Sequence, residues 1–474
     1  MSARTTYAFG LAALLSACTL APKYHEPATP GVVDYKEAGD WLPAHPLDAE
    51  PGSNWWSAFG DSTLDELERA LRDSNPDVRA ALARFEQARA LALSARSSIF
   101  PSVAAGASAK REHLSANAPV AGAGETFNDF IASLNLSWEV DLFGRLRSEA
   151  NAAGARAQSS HADLAAITLS LEAELASDYF TLRGADAQLR LLQDTVQTYD
   201  RAYELTRDRY EGAIAAATDV DQADTQRQNA RAQLAAVKLQ RAQLEHAIAV
   251  LLGSVPSAFA LKAGELASAP PPLGAGLPST LLLRRPDVAS AERAVAAANA
   301  EIGVARAAWF PVFTLSGAAG FESSAASSWV GAPSRFWSVG PAGQVPLLDF
   351  GARTALTRRA WAAYDEAVAN YRKTTLTAYQ EVEDNLAALH HVTDELAADE
   401  AAAASAQRAA YHADKRYTAG VADYIEVTTT QTAALQAQRA ALDARVSLLN
   451  AAVGLVRASG GGWSREQLAL ARTP

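Results

Sequence analysis

Cys18 carries the most definite chemistry in this sequence. Arg4 supplies a positive start, Ala8–Leu15 a short apolar run, and Leu15-Ser16-Ala17 leads with small residues into the cysteine. The run is too short to cross a bilayer. It is the only cysteine in 474 residues, so its thiol has no internal disulfide partner. A second set of reactive types sits at two tract ends, Arg209-Tyr210 and Arg416-Tyr417, with Asp219, Asp423 and Glu426 close by. Guanidinium and carboxylate groups there are suited to charge-assisted bonds between helices, or else are solvated charges at a hairpin tip. His390 and His391 are adjacent rather than one helical turn apart, a poor arrangement for a metal. His-Glu-x-x-His, Gly-x-Ser-x-Gly and the Gly-x-x-x-x-Gly-Lys phosphate loop are all missing from the sequence, so neither an enzyme nor a cofactor is expected. The formal charge of −11 and the lack of a basic stripe argue against nucleic acid.

The elements that must position these residues are long helices. Residues 144–210 contain no proline, and a helix of that length is about 100 Å long. Its apolar residues recur every three or four positions at Leu164, Ile167, Leu171, Leu175, Tyr179 and Leu182, then, with Ala185 filling one gap, at Leu189, Leu192, Val196, Tyr199 and Tyr203. A stripe that narrow and long needs a partner, and residues 219–252 supply one running back. Shorter helices are expected from Ser62 and from Asn75-Pro76-Asp77, where Asn75 caps and Pro76 fits the first helical position.

The arrangement then repeats. Pro76-Asp77-Val78 recurs as Pro286-Asp287-Val288 and Phe100-Pro101 as Phe310-Pro311, both 210 residues later; Phe143-Gly144 recurs as Phe350-Gly351 and Arg209-Tyr210 as Arg416-Tyr417, both 207 later. Four landmarks in one order at nearly constant offset indicate an internal duplication. The expected divisions are a signal segment 1–17, a proline-rich tether 18–61, repeat 1 over 62–253, a linker 254–283, repeat 2 over 284–458 and a tail 459–474.

Each repeat also carries a predicted β-hairpin. Residues 130–141 alternate strictly, with Leu134, Leu136, Trp138 and Val140 on one side and Ser133, Asn135, Ser137 and Glu139 on the other. With residues 102–110 they form the first hairpin; about 312–321 and 335–347 form the second, Pro341 and Pro346 weakening its last strand. Four strands are too few to close a barrel, and an open edge in hydrocarbon leaves backbone groups unpaired at several kcal/mol each. A membrane role therefore requires several chains to combine, with lipid against the Leu134 face and a wet lumen against the serines. The alternative is a pair of soluble hairpins capping a helical bundle.

Leu-Ser-Ala-Cys resembles the bacterial lipobox. Together with Thr-Leu-Ala-Pro-Lys-Tyr after Cys18, the Trp55-Trp56-Ser57-Ala58-Phe59-Gly60-Asp61 run, the duplicated helix and hairpin pattern and the Arg-Tyr turns, the chain resembles the TolC-like outer-membrane factor family over nearly its whole length. The branch it resembles is the lipidated one serving resistance-nodulation-division efflux systems. That resemblance implies a mainly α protein with a membrane β-barrel portion: a homotrimer whose strands make a twelve-stranded barrel continued by an α-helical tunnel. It implies lipid on Cys18, an outer-membrane location in a Gram-negative bacterium, a periplasmic adaptor and an inner-membrane pump as partners, and passive export of small toxic or amphiphilic compounds. Arg416 and Tyr417 match the pair that holds the periplasmic mouth shut in the family; Gly420 permits a tight turn there, and Asp423, Glu426, Arg209 and Asp219 complete the expected gate. Two departures stand out. Thr429 occupies a position where many relatives have aspartate, and Gly212 lies one residue earlier than its counterpart Gly420 requires, so the two turns need not be equivalent. Protein secretion through the same duct, and a lipid-anchored periplasmic scaffold, are the competing readings.

Overall fold

A computed structural model describes residues 20–29, 35–37, 54–117, 119, 122–271 and 284–467. The expected signal segment, Cys18 and parts of the tether, linker and tail lie outside the described residues. In chain order the elements are α1 (Ser62–Ser74), α2 (Pro76–Ser97), β1 (Ser102–His113), β2 (Thr126–Val140), α3 (Arg145–Glu211), α4 (Ala217–Leu251), α5 (Pro286–Ala307), β3 (Val312–Ser323), β4 (Arg335–Gln344), α6 (Ala352–Thr418) and α7 (Tyr424–Ala458). No described helix is long and apolar enough to cross a membrane.

The chain divides into two compact units, and each draws on both sequence repeats. One contains residues up to Ala28, Arg84–Ser160 and Ser290–Arg372; the other contains Thr29–Ala83, His161–Ala289 and the chain from Lys373.

In the first unit the four strands form a single antiparallel sheet in the order β1-β2-β3-β4, so the central pairing joins one repeat to the other. Register places Ala105, Leu134, Ala319 and Trp337 in one row and Val103, Leu136, Gly317 and Val339 in the next. The alternate rows hold Ser102, Ser137 and Ser316, then Ala104, Asn135, Ala318 and Ser338. One face is therefore apolar and the other small or polar, because side chains alternate across a strand. β1 and β2 are longer than expected: Arg111-Glu112-His113, polar enough to resemble a loop, pairs with Thr126-Phe127-Asn128. β4 is shorter, ending at Gln344 rather than near residue 347. Among the described residues, the outer edges of β1 and β4 have no strand beside them.

The same unit straps residues 20–28 along α5. Arg306 donates to the Leu20 carbonyl (3.3 Å) and Asn299 to that of Pro22 (2.9 Å), while the Tyr24 hydroxyl donates to the Glu292 carboxylate. A Cβ on Gly303 would lie 2.6 Å from the Ala21 Cβ, which explains the glycine beneath the strap.

In the second unit, Asp61 caps α1 by accepting from the Thr63 and Leu64 amides (2.9 and 3.3 Å). The aromatic run before it forms a 3-10 turn, Trp55–Phe59, fastened to α3: Trp55 Nε1 donates to Glu172 (3.1 Å), Arg72 donates to the same carboxylate (2.6 Å) and lies over the Trp56 ring, and the Tyr179 hydroxyl donates to Asp61 (2.5 Å). Asn75 caps α2 through the Asp77 and Val78 amides (2.8 and 3.0 Å) and ties it to α4 by donating to the Leu251 carbonyl (2.7 Å). Along α3 the striped residues Leu175, Tyr179, Leu182, Ala185, Leu192 and Tyr199 are buried, and so are Glu172, Arg183 and Asp186 off the stripe. The extra burial near residue 185 comes from chain that packs on the helix there. Asp186 accepts from Arg183, Arg241 and the Gly264 amide at 3.0, 2.7 and 3.0 Å.

Candidate functional site: the paired helical turns

Both long helices end in the same turn. In the first, the Gly212, Ala213 and Ile214 amides donate to the carbonyls of Asp208, Tyr210 and Arg209; in the second, Ala419, Gly420 and Val421 donate to Lys415, Tyr417 and Arg416. Every donor and acceptor differs by the repeat offset of 207, and the pattern is a Schellman cap. The residue in the left-handed region is Gly420 (φ 74°) in one turn and Ala213 (φ 58°) in the other. The backbones are thus equivalent although the first glycine, Gly212, sits one residue early; an alanine occupies the position that favours glycine, at a cost of about 1–2 kcal/mol.

The side chains break that equivalence. Arg209 crosses to the other turn, donating to the Tyr417 carbonyl (3.1 Å) and the Thr418 carbonyl (3.0 Å), with its guanidinium 4.7 Å from the Tyr417 ring centroid. Its counterpart Arg416 instead pairs with Glu426 of its own hairpin at 3.0 Å. Asp219 lies in the first turn of α4, and Asp423 is the residue before α7, with no side-chain cap bond. The expected residues therefore gather at the turns, but the bridge between the two hairpins runs from Arg209. Arg416–Glu426 is solvent-exposed and so contributes about 0–1 kcal/mol. Two charge-assisted bonds with a ring contact outweigh it.

Beneath the bridge lies a small aromatic core that the residue spacing alone did not single out. Tyr417 and Tyr424 meet edge to face at 5.1 Å and pack with Ala223, Ala413, Val427 and Tyr203. Arg227 lies 3.9 Å over the Tyr203 ring. Burial, reinforced by Tyr417, Tyr199 and the charge on Asp219, holds the Tyr424 phenol above its usual range. The seven-residue step from Tyr417 to Tyr424 was the signal available. Thr429, where an aspartate was expected by resemblance, is exposed and returns its hydroxyl to the Ile425 carbonyl (2.7 Å). His390 and His391 contact each other edge to face at 5.0 Å. The site holds helices together by noncovalent bonds.

Residues 67–254 and 277–461 match the sequence profile of the outer membrane efflux protein family. The chain is 33% identical over 473 residues to the toluene efflux pump outer membrane protein TtgC of Pseudomonas putida, covering 97% of each. Among solved structures it resembles the outer-membrane channel OprN (TM-score 0.87, 30% identity, 94% of this chain and 100% of that one). It also resembles the CmeC outer membrane channel of Campylobacter jejuni (TM-score 0.85, 26% identity, 94% and 96%). A TolC-like fold with duplicated helices and an antiparallel sheet, and a match over both halves, lead to one conclusion: this chain belongs to the outer membrane efflux protein family.

Proposed function

We propose that the protein is the outer-membrane exit duct of a tripartite efflux pump, built from three copies whose sheets close into one twelve-stranded barrel. The observation that carries this reading is the sheet itself: four strands, one apolar face, one polar face and two open edges. Three such sheets seal all edges, put Leu134, Leu136, Trp138, Trp337 and Val339 toward lipid and leave the serines and Asn135 facing water. The helices of the three copies then line a common periplasmic conduit, with the Arg209 and Arg416 turns at its mouth. Transport through it is passive, and the energy comes from an inner-membrane resistance-nodulation-division pump joined by a periplasmic adaptor. Lipid on Cys18 anchors the chain, and the strap over α5 supports a fixed path from that anchor to the strands.

The cargo class proposed is small and apolar or amphiphilic, as the name of the toluene efflux relative suggests. The test is growth of a deletion strain on a panel of antibiotics, dyes and organic solvents, complemented with the natural gene, with Cys18→Ala and with Arg416→Ala. Restored resistance with the natural gene is expected; unchanged sensitivity to every compound on deletion contradicts an efflux role.

A further inference from the structure

The tips of the two hairpins lie at the end of the sheet away from the long helices, since α2 leads into β1 and β2 leads into α3 at the other end. Charged strand residues are sorted by face. Register puts Lys110, Glu112, Asp129 and Glu322 on the polar face near the tips, with Glu139 farther along toward the helices: one cation against four carboxylates. The apolar face carries Arg111 and Arg335 and, among its strand residues, no carboxylate. Both arginines are exposed, and among the described residues neither has an ion pair or side-chain hydrogen bond. A charge needed only for solvation has no reason to avoid the loops, yet residues 114–125 and 324–334 contain no lysine or arginine. Beside the two arginines the same face is aromatic. Phe321 stands opposite Arg335, Trp329 packs on Phe130 with ring centroids 5.6 Å apart, and Trp337, next on that face of β4, is 77% exposed. In a membrane barrel such rings mark the level of the headgroups, where the cost of an arginine facing lipid falls toward zero.

We propose that this rim binds the phosphorylated glycolipid of the outer leaflet, lipopolysaccharide, with its phosphates held by Arg111 and Arg335 and its acyl chains lying on Trp337, Val339 and Leu134. The inference rests on the barrel reading above, in which the apolar face meets lipid and the hairpin tips point outward. Charge complementarity selects the occupant. A guanidinium presents a fork of N–H donors that matches phosphate oxygens two at a time, and no carboxylate of the strands competes on this face. The acids stand on the opposite face, turned into the lumen and away from the phosphates. The two arginines also occupy the two edge strands, β1 and β4, so closing the barrel sets Arg335 and the partner subunit's Arg111 on either side of one seam. Like charges on neighbouring strands repel, and an anion between them turns that repulsion into attraction. A free phosphate ion satisfies the charge but leaves the exposed rings uncovered. A phosphate carried on several acyl chains fits both.

Titration of the purified full chain in detergent with lipopolysaccharide, with native mass measured on the same samples, tests this. The three-chain species is expected to bind the lipid, and Arg111→Gln with Arg335→Gln to weaken binding about tenfold, the scale of two charge-assisted contacts at a partly exposed site. Lys110→Gln, beside Arg111 in sequence but on the polar face, is expected to leave binding unchanged. No loss in the double variant, or an equal loss in Lys110→Gln, overturns the assignment. The natural chain supplies a second arm that does not depend on any variant assembling. Dephosphorylated lipopolysaccharide is expected to bind it about tenfold more weakly than the intact lipid, and inorganic phosphate at equal concentration is expected not to displace the intact lipid. Equal binding of the two lipids, or displacement by inorganic phosphate, overturns the assignment. Three-chain protein that binds no lipopolysaccharide overturns this inference and leaves the barrel standing; a single-chain mass overturns both.

Discussion

At the scale of single residues, two buried or strained positions carry cost. Ala213 holds a left-handed conformation while Gly212, one residue before it and just past the helix end, lies outside that region, where an added Cβ would meet nothing closer than 3.4 Å. Exchanging the two, Gly212→Ala with Ala213→Gly, is expected to stabilise the first turn by about 1 kcal/mol, seen as slower amide exchange from Asp208 to Ile214. Unchanged or faster exchange would contradict the strain. Glu68 lies wholly inside α1's packing, with both carboxylate oxygens unpartnered, and burial with the neighbouring Glu172 charge pushes its pKa up to about 10. The folded state then keeps a proton that the unfolded state releases, so stability falls as pH rises from about 4.5 toward 10. Glu68→Gln removes that liability. It should raise stability on the order of 2–3 kcal/mol at pH 7, with the gain in thermal midpoint widening from pH 5 to pH 9; a pH-independent difference would refute it. Neither position was legible in the sequence. Glu68 sits among Leu64, Leu67 and Leu71 on an amphipathic helix, where one residue of rotation separates core from solvent. The misplaced glycine concealed that the two turns share a backbone.

At the scale of elements, the two long helices were plain from the sequence because a proline-free tract with an apolar stripe admits few other structures. The strand ends were not, since pairing partners set them: Arg111 to His113 become strand only because Thr126 to Asn128 lie alongside, and residues 345–347 lack such a neighbour. The turns were half legible. Sequence spacing brought Arg209, Asp219, Arg416, Tyr417, Asp423 and Glu426 to one place, but which pairs form depends on side-chain reach. Of the two turn arginines it is Arg209 that bridges the two hairpins, beside Gln226, which donates to the Thr428 carbonyl and the Thr432 hydroxyl, whereas Arg416 answers Glu426. Arg209→Ala is therefore expected to open the mouth more than Glu426→Gln does. The check is uptake of a large antibiotic such as vancomycin: several-fold greater sensitivity with Arg209→Ala, little change with Glu426→Gln. Equal effects would mean that the bridge does not hold the mouth.

At the scale of the whole molecule, family and fold were readable because the duplication repeats landmarks at offsets of 207 and 210, and the backbone registers obey the same offsets. The cargo was not readable, because on the proposed reading the chain is a passive duct, which would recognise little of what passes through it and leave specificity to a pump. The proposed lipid on Cys18 is tested by its replacement with alanine, which is expected to leave the oligomer's mass unchanged but to lower its amount in outer-membrane fractions; an unaltered amount would show that no lipid on Cys18 is needed to hold it there. The most direct test of the central claim is conductance across a planar lipid bilayer by the purified full chain. A three-chain species that inserts and gives discrete, stepwise ion conductance, larger in Arg209→Ala, is the predicted result. Protein that inserts as three chains yet never conducts, with or without that substitution, would contradict a duct.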